Sequence, residues 1–292
     1  MIQDSMSGTR SPFYTILSPY YDLLFPLEHR IASFLEESGA VAGARVADIA
    51  CGSGLYTQTL LEKGVDAWGL DASRDLIEVA RLRSRHPDRF LVADMRDWDV
   101  VDRLVAEENR APEGDSPVAD SSLAGSRVTR SPVAAWDLIY CIGNSVVHLP
   151  SREAVWTFLE AAVQRLRPAP GEPGTRAARR GGVLVLQWVE LTGLAPGETR
   201  SLPPVGTGVV TMHRSHTRLD DDFVRFDVRL EVTQSPEGAD GVIETSNKLL
   251  LLTGDAVVEH LSGLGFHAEL FGGFSGEPVA PESWVRVMRV FS

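Results

Sequence analysis

The run Val46-Ala47-Asp48-Ile49-Ala50-Cys51-Gly52-Ser53-Gly54 decides the fold. Val46 to Ile49 is apolar but for one acid, the pattern of a short strand buried on both faces. Gly52 and Gly54 follow, and a glycine backbone can take positive φ and lie close to a ligand. Leu55 to Glu62 then continues as a helix. Strand, glycine turn and helix N-terminus together predict a site for a nucleotide-like ligand. A dinucleotide fingerprint would read Gly-x-Gly-x-x-Gly. Here the third position is Thr57, which counts against nicotinamide chemistry. Taken alone, the glycine pair also reads as a plain strand-to-helix turn.

Working outward, Asp66 to Leu70 reads as a second strand closed by Asp71. An acid at that tip can accept both hydroxyls of a ribose. Phe90 to Ala93 reads as a third strand, ending in Asp94-Met95. Trp136 to Ile142 reads as a fourth, running into Gly143-Asn144-Ser145, and Val183 to Val189 as a fifth. Between them, Ser73 to Arg85 and Ser151 to Arg167 have helical spacing with a serine cap at each start. Pro19 to about Ser38 is helical with a break at Pro26. From residue 200 the pattern turns to alternation, predicting antiparallel strands at Val209 to Arg214, Phe223 to Val232 and Lys248 to Leu252. Thr253 to Gly263 reads as a helix, and Ala268 to Phe271 and Trp284 to Phe291 as the last two strands. Residues 106–133 and 169–180 are rich in Pro, Gly, Ser and charge, and read as partly disordered surface insertions.

"VADIACGSG", "GLDAS", "ADM" and "WDLIYCIGNSVVHL", in that order, resemble the successive motifs of the class I S-adenosylmethionine-dependent methyltransferases. The segment "CIGNSVVHLP" is most similar to the glycine and sarcosine N-methyltransferase branch and its small-molecule relatives. The resemblance covers roughly residues 15–190. It implies an α/β fold: a Rossmann-like sheet of seven mostly parallel strands with an antiparallel C-terminal strand, plus a small antiparallel β cap. Residues 1–200 and 248–292 would form the main domain, and 201–247 the cap. It also implies S-adenosylmethionine as methyl donor, with S-adenosylhomocysteine as product. Its expected holders are Tyr21, Asp48, Ala50, Cys51, Gly52, Gly54, Asp71, Ala72, Asp94, Met95, Cys141 and Ile142. Of these, Asp71 would hold the ribose, Asp94 and Met95 the adenine, and the glycines the methionine part.

Composition bounds the partners. The 292 residues are 43% hydrophobic, enough for one large α/β domain with an added layer. A formal net charge of -12 argues against nucleic acid, whose phosphates need a basic face. The two cysteines, Cys51 and Cys141, are expected reduced in a cytoplasmic protein. No apolar run reaches membrane-spanning length, and no Cys/His spacing suits a metal. The expected partner is a small-molecule acceptor, with a homodimer left open.

The chemistry expected is in-line displacement at a methyl already activated on sulfur, so positioning and exclusion of water dominate. His148 and Asn144 are the catalytic candidates, His148 because its unperturbed pKa lies near neutral. Tyr20, Trp188, Glu190 and Arg214 are the candidates for the acceptor pocket. Trp188 and Glu190 alternate onto one strand face and would suit a cationic or amine-bearing acceptor. The run Gln187-Trp188-Val189-Glu190 lacks the arginine that holds the amino-acid carboxylate in glycine N-methyltransferase, which makes glycine a poor candidate substrate. An amine nitrogen leads as acceptor, with an oxygen acceptor, a nicotinamide-dependent oxidoreductase and a non-catalytic cofactor-binding protein as alternatives.

Overall fold

The computed structural model describes residues 14, 17–108, 136–169, 181–191, 193–233, 241–280 and 282–292. A seven-stranded sheet carries the order β10-β11-β5-β4-β1-β2-β3. Its strands are β1 (Arg45–Ile49), β2 (Asp66–Asp71), β3 (Phe90–Val92), β4 (Leu138–Cys141), β5 (Val183–Val189), β10 (His267–Phe271) and β11 (Val285–Phe291). The first five pair in parallel; β11 runs antiparallel to both β5 and β10. β1 is central because Val46, Ala47 and Ile49 have no polar side chain to keep wet, and all three are buried. Truncating Ile49 to alanine there would cost about 2–5 kcal/mol.

A second sheet of four antiparallel strands follows in the chain: β6 (Thr199–Gly206), β7 (Val210–Arg218), β8 (Phe223–Val232) and β9 (Gly241–Leu250). One face of it, with Val210, Met212, Val228 and Leu230, packs on Leu17, Tyr20 and Leu24 of the N-terminal segment. Its lower end, at Val224 and Leu249, joins the core under the large sheet.

The helices are α1 (Tyr21–Leu24), α2 (His29–Glu37), α3 (Leu55–Glu62), α4 (Arg74–Arg83), α5 (Trp98–Glu108), α6 (Arg152–Val163) and α7 (Gly254–Gly263). Ser73, Ser151 and Thr253 cap α4, α6 and α7 by accepting from the backbone three residues on. Two expected helices end early. α4 stops at Arg83, before a short helical turn at Pro87–Arg89, and α6 stops at Val163, so that Leu166 can bridge Trp136.

Three elements were not read from the sequence as they stand. α5 reaches Glu108, so the low-complexity stretch begins inside a helix; its remainder to residue 133 lies outside the described residues, as do 170–180. β6 carries Pro203-Pro204, tolerated because it is an edge strand with its register shifted between Leu202 and Val205. β9 begins at Gly241 and its last residues, 248–250, pair with Phe223–Arg225 in the smaller sheet.

Candidate functional site

The glycine turn is built as the sequence suggests, with one addition. Ala50, Gly52 and Gly54 all have left-handed φ, 62°, 58° and 73°. A Cβ on Gly52 would stand 2.8 Å from Tyr21 Oη, and one on Gly54 would stand 2.4 Å from the Phe90 ring. Tyr21 therefore lies across the turn, and the N-terminal segment is fastened there. Asp22 takes hydrogen bonds from Ser53 Oγ and Arg83, while Arg83 Nη2 also donates to Ser53 O at 2.6 Å. This Asp22–Arg83–Ser53 clasp carried no sequence motif. It joins residues 31 and 61 positions apart.

Asp71 closes β2. Its Oδ2 accepts from Gly52 N at 2.9 Å and its Oδ1 from Ser73 N at 2.7 Å. A carboxylate has about four lone-pair sites, so each oxygen keeps one for a ribose hydroxyl. Ala72 beside it is exposed. Under the turn, Asp48 is 2% exposed and accepts from Thr57 Oγ1 at 2.6 Å. Burial pushes its carboxyl up to about 7 despite that bond. Thr57 stands where a dinucleotide site has its third glycine, and its side chain fills the space by bonding Asp48. Asp48 thus braces the turn from below.

Asp94 and Met95 follow β3 as expected, Met95 half-buried against the core. The exposed Asp94 carboxylate holds Arg96 on both oxygens at 2.8 Å, and those hydrogen bonds keep its pKa below the usual carboxylate range. Cys141 ends β4 and Ile142 follows it, both buried. Both cysteines are free thiols, and burial pushes both pKa values up, so neither is a thiolate nucleophile at neutral pH.

The exit of β4 is tied to β5 by side chains. Gln187 Oε1 accepts from Gly143 N at 2.7 Å and Asn144 N at 3.1 Å. Asn144, at φ 65°, returns a bond: its Oδ1 accepts from Val189 N at 2.8 Å. The Asn144 carbonyl is therefore engaged in holding the turn. His148 ends the Val146–His148 turn, with Tyr14 Oη 3.5 Å from its Nε2. Burial lowers the His148 pKa to about 4, so the ring is neutral at pH 7. Tyr14 was missed by sequence reasoning, because no motif or spacing singled it out. Burial pushes the Tyr14 hydroxyl pKa up, and the Asp71 carboxylate adds to that shift.

The acceptor candidates fare differently. Tyr20 is 8% exposed and packs in the apolar cluster under the second sheet. Trp188 is fully buried, and its Nε1 donates to Leu252 O at 3.0 Å. Glu190 accepts from Gly254 N, the first residue of α7, at 2.7 Å and pairs with Arg286 at 3.1 Å. The expectation that Trp188 and Glu190 line an open pocket is thus corrected. Alternation put both on one face, but α7 and β11 cover that face and use up its charge. Arg214 is half-buried on β7, and its Nη2 donates to Pro203 O at 3.2 Å.

The seven-strand order, glycine turn and acidic tip of β2 together are the fold of class I S-adenosylmethionine-dependent methyltransferases. A solved methyltransferase of that dependence from Clostridium acetobutylicum superposes with a TM-score of 0.64 at 14% identity, covering 96% of this chain and 98% of that one. Residues 46–107 match the methyltransferase domain family. The ubiquinone biosynthesis O-methyltransferase of Photorhabdus laumondii is 33% identical over 79 residues, 25% of this chain and 33% of that protein. Human glycine N-methyltransferase is 28% identical over 111 residues, 36% of this chain and 30% of that one. The chain therefore spans about a third of the length of the curated relatives it matches. Among the described residues no helix is long and apolar enough to cross a membrane, and no group of three metal-ligating side chains occurs.

Proposed function

We propose that this protein transfers the methyl group of S-adenosylmethionine to a small-molecule acceptor, on nitrogen first. The observation that carries the reading is Asp71, held by Gly52 N and Ser73 N beside a left-handed glycine turn. The donor brings a methyl already activated on a sulfonium. The protein's part is to bind, orient and dry the site. Gly52 and Gly54 would let backbone approach the methionine portion, Asp71 would take the ribose hydroxyls, and Met95 would hold the adenine. Cys141 and Ile142 supply the backbone edge beside the sulfur, and Tyr21 covers the turn.

With its pKa near 4, His148 is too weakly basic to strip an ammonium proton efficiently. An amine must then arrive neutral, and the role we assign to His148 is a hydrogen bond that aims the lone pair, with Tyr14 turning the ring. Asn144 fixes the loop that carries His148 and does not touch the nucleophile through its carbonyl. Transfer to oxygen is the second reading, favoured by the match to an O-methyltransferase. The second sheet acts as the cap over the site, and the two free thiols suit a cytoplasmic enzyme.

Titration calorimetry with S-adenosylmethionine, S-adenosylhomocysteine and NAD tests the cofactor, and radiolabelled methyl transfer to paired amines and alcohols tests the acceptor atom. Binding of the first two but not NAD is expected, with label on the amine. Binding of NAD alone overturns the reading.

A further inference from the structure

The inner face of the β6–β9 sheet holds polar groups that the fold leaves without partners. His216 pairs across to Phe226 in the strand register, and Phe226 pairs to Asn247, so the three form one row. Arg214 lies one step along on the same face, opposite Val228. That face is the inward one, because Met212 and Leu230 on it pack against Leu17, Tyr20 and Leu24. His216 is 2% exposed, yet neither ring nitrogen has a hydrogen-bond partner; Asn247 Nδ2 and Arg214 Nε are likewise buried without one. A buried polar group left unsatisfied costs stability. A purely structural sheet face gains nothing by collecting three of them, and Val or Leu would serve there.

The position is also right. β9 packs against the Val146–His148 turn. Tyr14, which reaches His148, belongs to the same apolar cluster as Met212 and Val228. The row therefore faces the end of the large sheet where the methyl would be delivered. Its chemistry is one-sided. The acids of β8 and β9, Asp227, Glu231 and Glu244, alternate onto the opposite face. Burial, and then the Arg214 charge, lower the His216 pKa to about 4, so the ring is neutral at pH 7 and offers one donor and one acceptor. Phe226 stacks on it at 4.7 Å and fixes its plane.

We propose that Arg214, His216 and Asn247 form the acceptor subsite, and that it selects acceptors carrying oxygen acceptors, hydroxyl or carboxylate, beside the methylated atom. This rests on the methyl-transfer reading above. It reverses the electrostatics expected from Glu190, whose charge Arg286 already neutralises.

The test uses the full chain labelled with nitrogen-15 at histidine, with and without S-adenosylhomocysteine. The His216 ring resonance is assigned by its loss in His216→Gln. Two matched pairs are titrated: glucosamine against cyclohexylamine, and 4-aminobutyrate against butylamine. A saturable shift of the His216 resonance with at least one oxygen-bearing member, absent for its oxygen-free partner and lost in Asn247→Leu, is the expected result. The first pair reports a hydroxyl source and the second a carboxylate. A His216 resonance that stays still with both oxygen-bearing probes, or moves equally with the oxygen-free ones, overturns the proposal. Calorimetry on the same samples separates the two ideas: failure to bind S-adenosylhomocysteine sinks the methyl-transfer reading, whereas tight binding with a silent His216 sinks only the subsite.

Discussion

Replacing Asp71 by asparagine keeps the shape and removes one acceptor oxygen. In the native turn each oxygen serves a backbone N–H, Gly52 at 2.9 Å and Ser73 at 2.7 Å. The amide can satisfy only one of them, and its NH2 then faces the other donor. With Asp71 as the proposed ribose acceptor, one ribose hydroxyl also loses its charged partner, worth about 1.5–3 kcal/mol. That is roughly a 10- to 150-fold rise in the dissociation constant for S-adenosylhomocysteine. The orphaned backbone donor adds about 1 kcal/mol of lost fold stability, the low end of the usual range because Asp71 is only half-buried. Calorimetry at constant pH reads the first effect and urea unfolding the second. Unchanged affinity in a folded Asp71→Asn protein would show that the ribose is held elsewhere, and the assignment of the turn would fall with it.

Other outcomes follow from the same geometry. Asp48 ionises near 4 when unfolded but near 7 when folded, so the native state binds the extra proton between those values. Its contribution to stability is then present at low pH and lost as pH rises from about 4 to 7, a change on the order of 4 kcal/mol; Asp48→Asn should flatten that limb in urea melts, and an unaltered limb would exclude Asp48 as its source. Glu190→Gln leaves Arg286 buried without its anion and should cost about 3–5 kcal/mol of stability while sparing cofactor affinity; a normal melting temperature with lost turnover would restore Glu190 to the acceptor pocket. Gln187→Leu orphans the Gly143 and Asn144 donors and should cost about 1–3 kcal/mol for each one kept from water; the check is slower methyl transfer with a reduced melting temperature and unchanged cofactor binding, and unchanged turnover would mean the turn holds without Gln187.

The features legible in the sequence are those whose causes are local. Val46 to Ile49 could only be a buried strand, Gly52 and Gly54 could only be a turn, and Ser73 and Ser151 announced helix starts by their spacing. The parallel α/β class followed from strands that alternate with helices, whereas the order of the strands in the sheet did not. The acid at the tip of β2 was legible because its place is set by the strand it ends. The residues that the sequence misplaced or missed are those whose partners lie far along the chain. Glu190 looked like an open charge until Arg286, 96 positions away, met it. Trp188 looked like a pocket wall until Leu252 O took its N–H. Tyr14 carried no signal of its own, and it reaches His148 across 134 positions. Periodicity shows which face of a strand a residue occupies, but whether that face is wet, covered or charged depends on what packs against it. That is settled by packing between elements far apart in the chain, and on that ground the acceptor subsite is proposed on the inner face of the second sheet rather than at the end of β5.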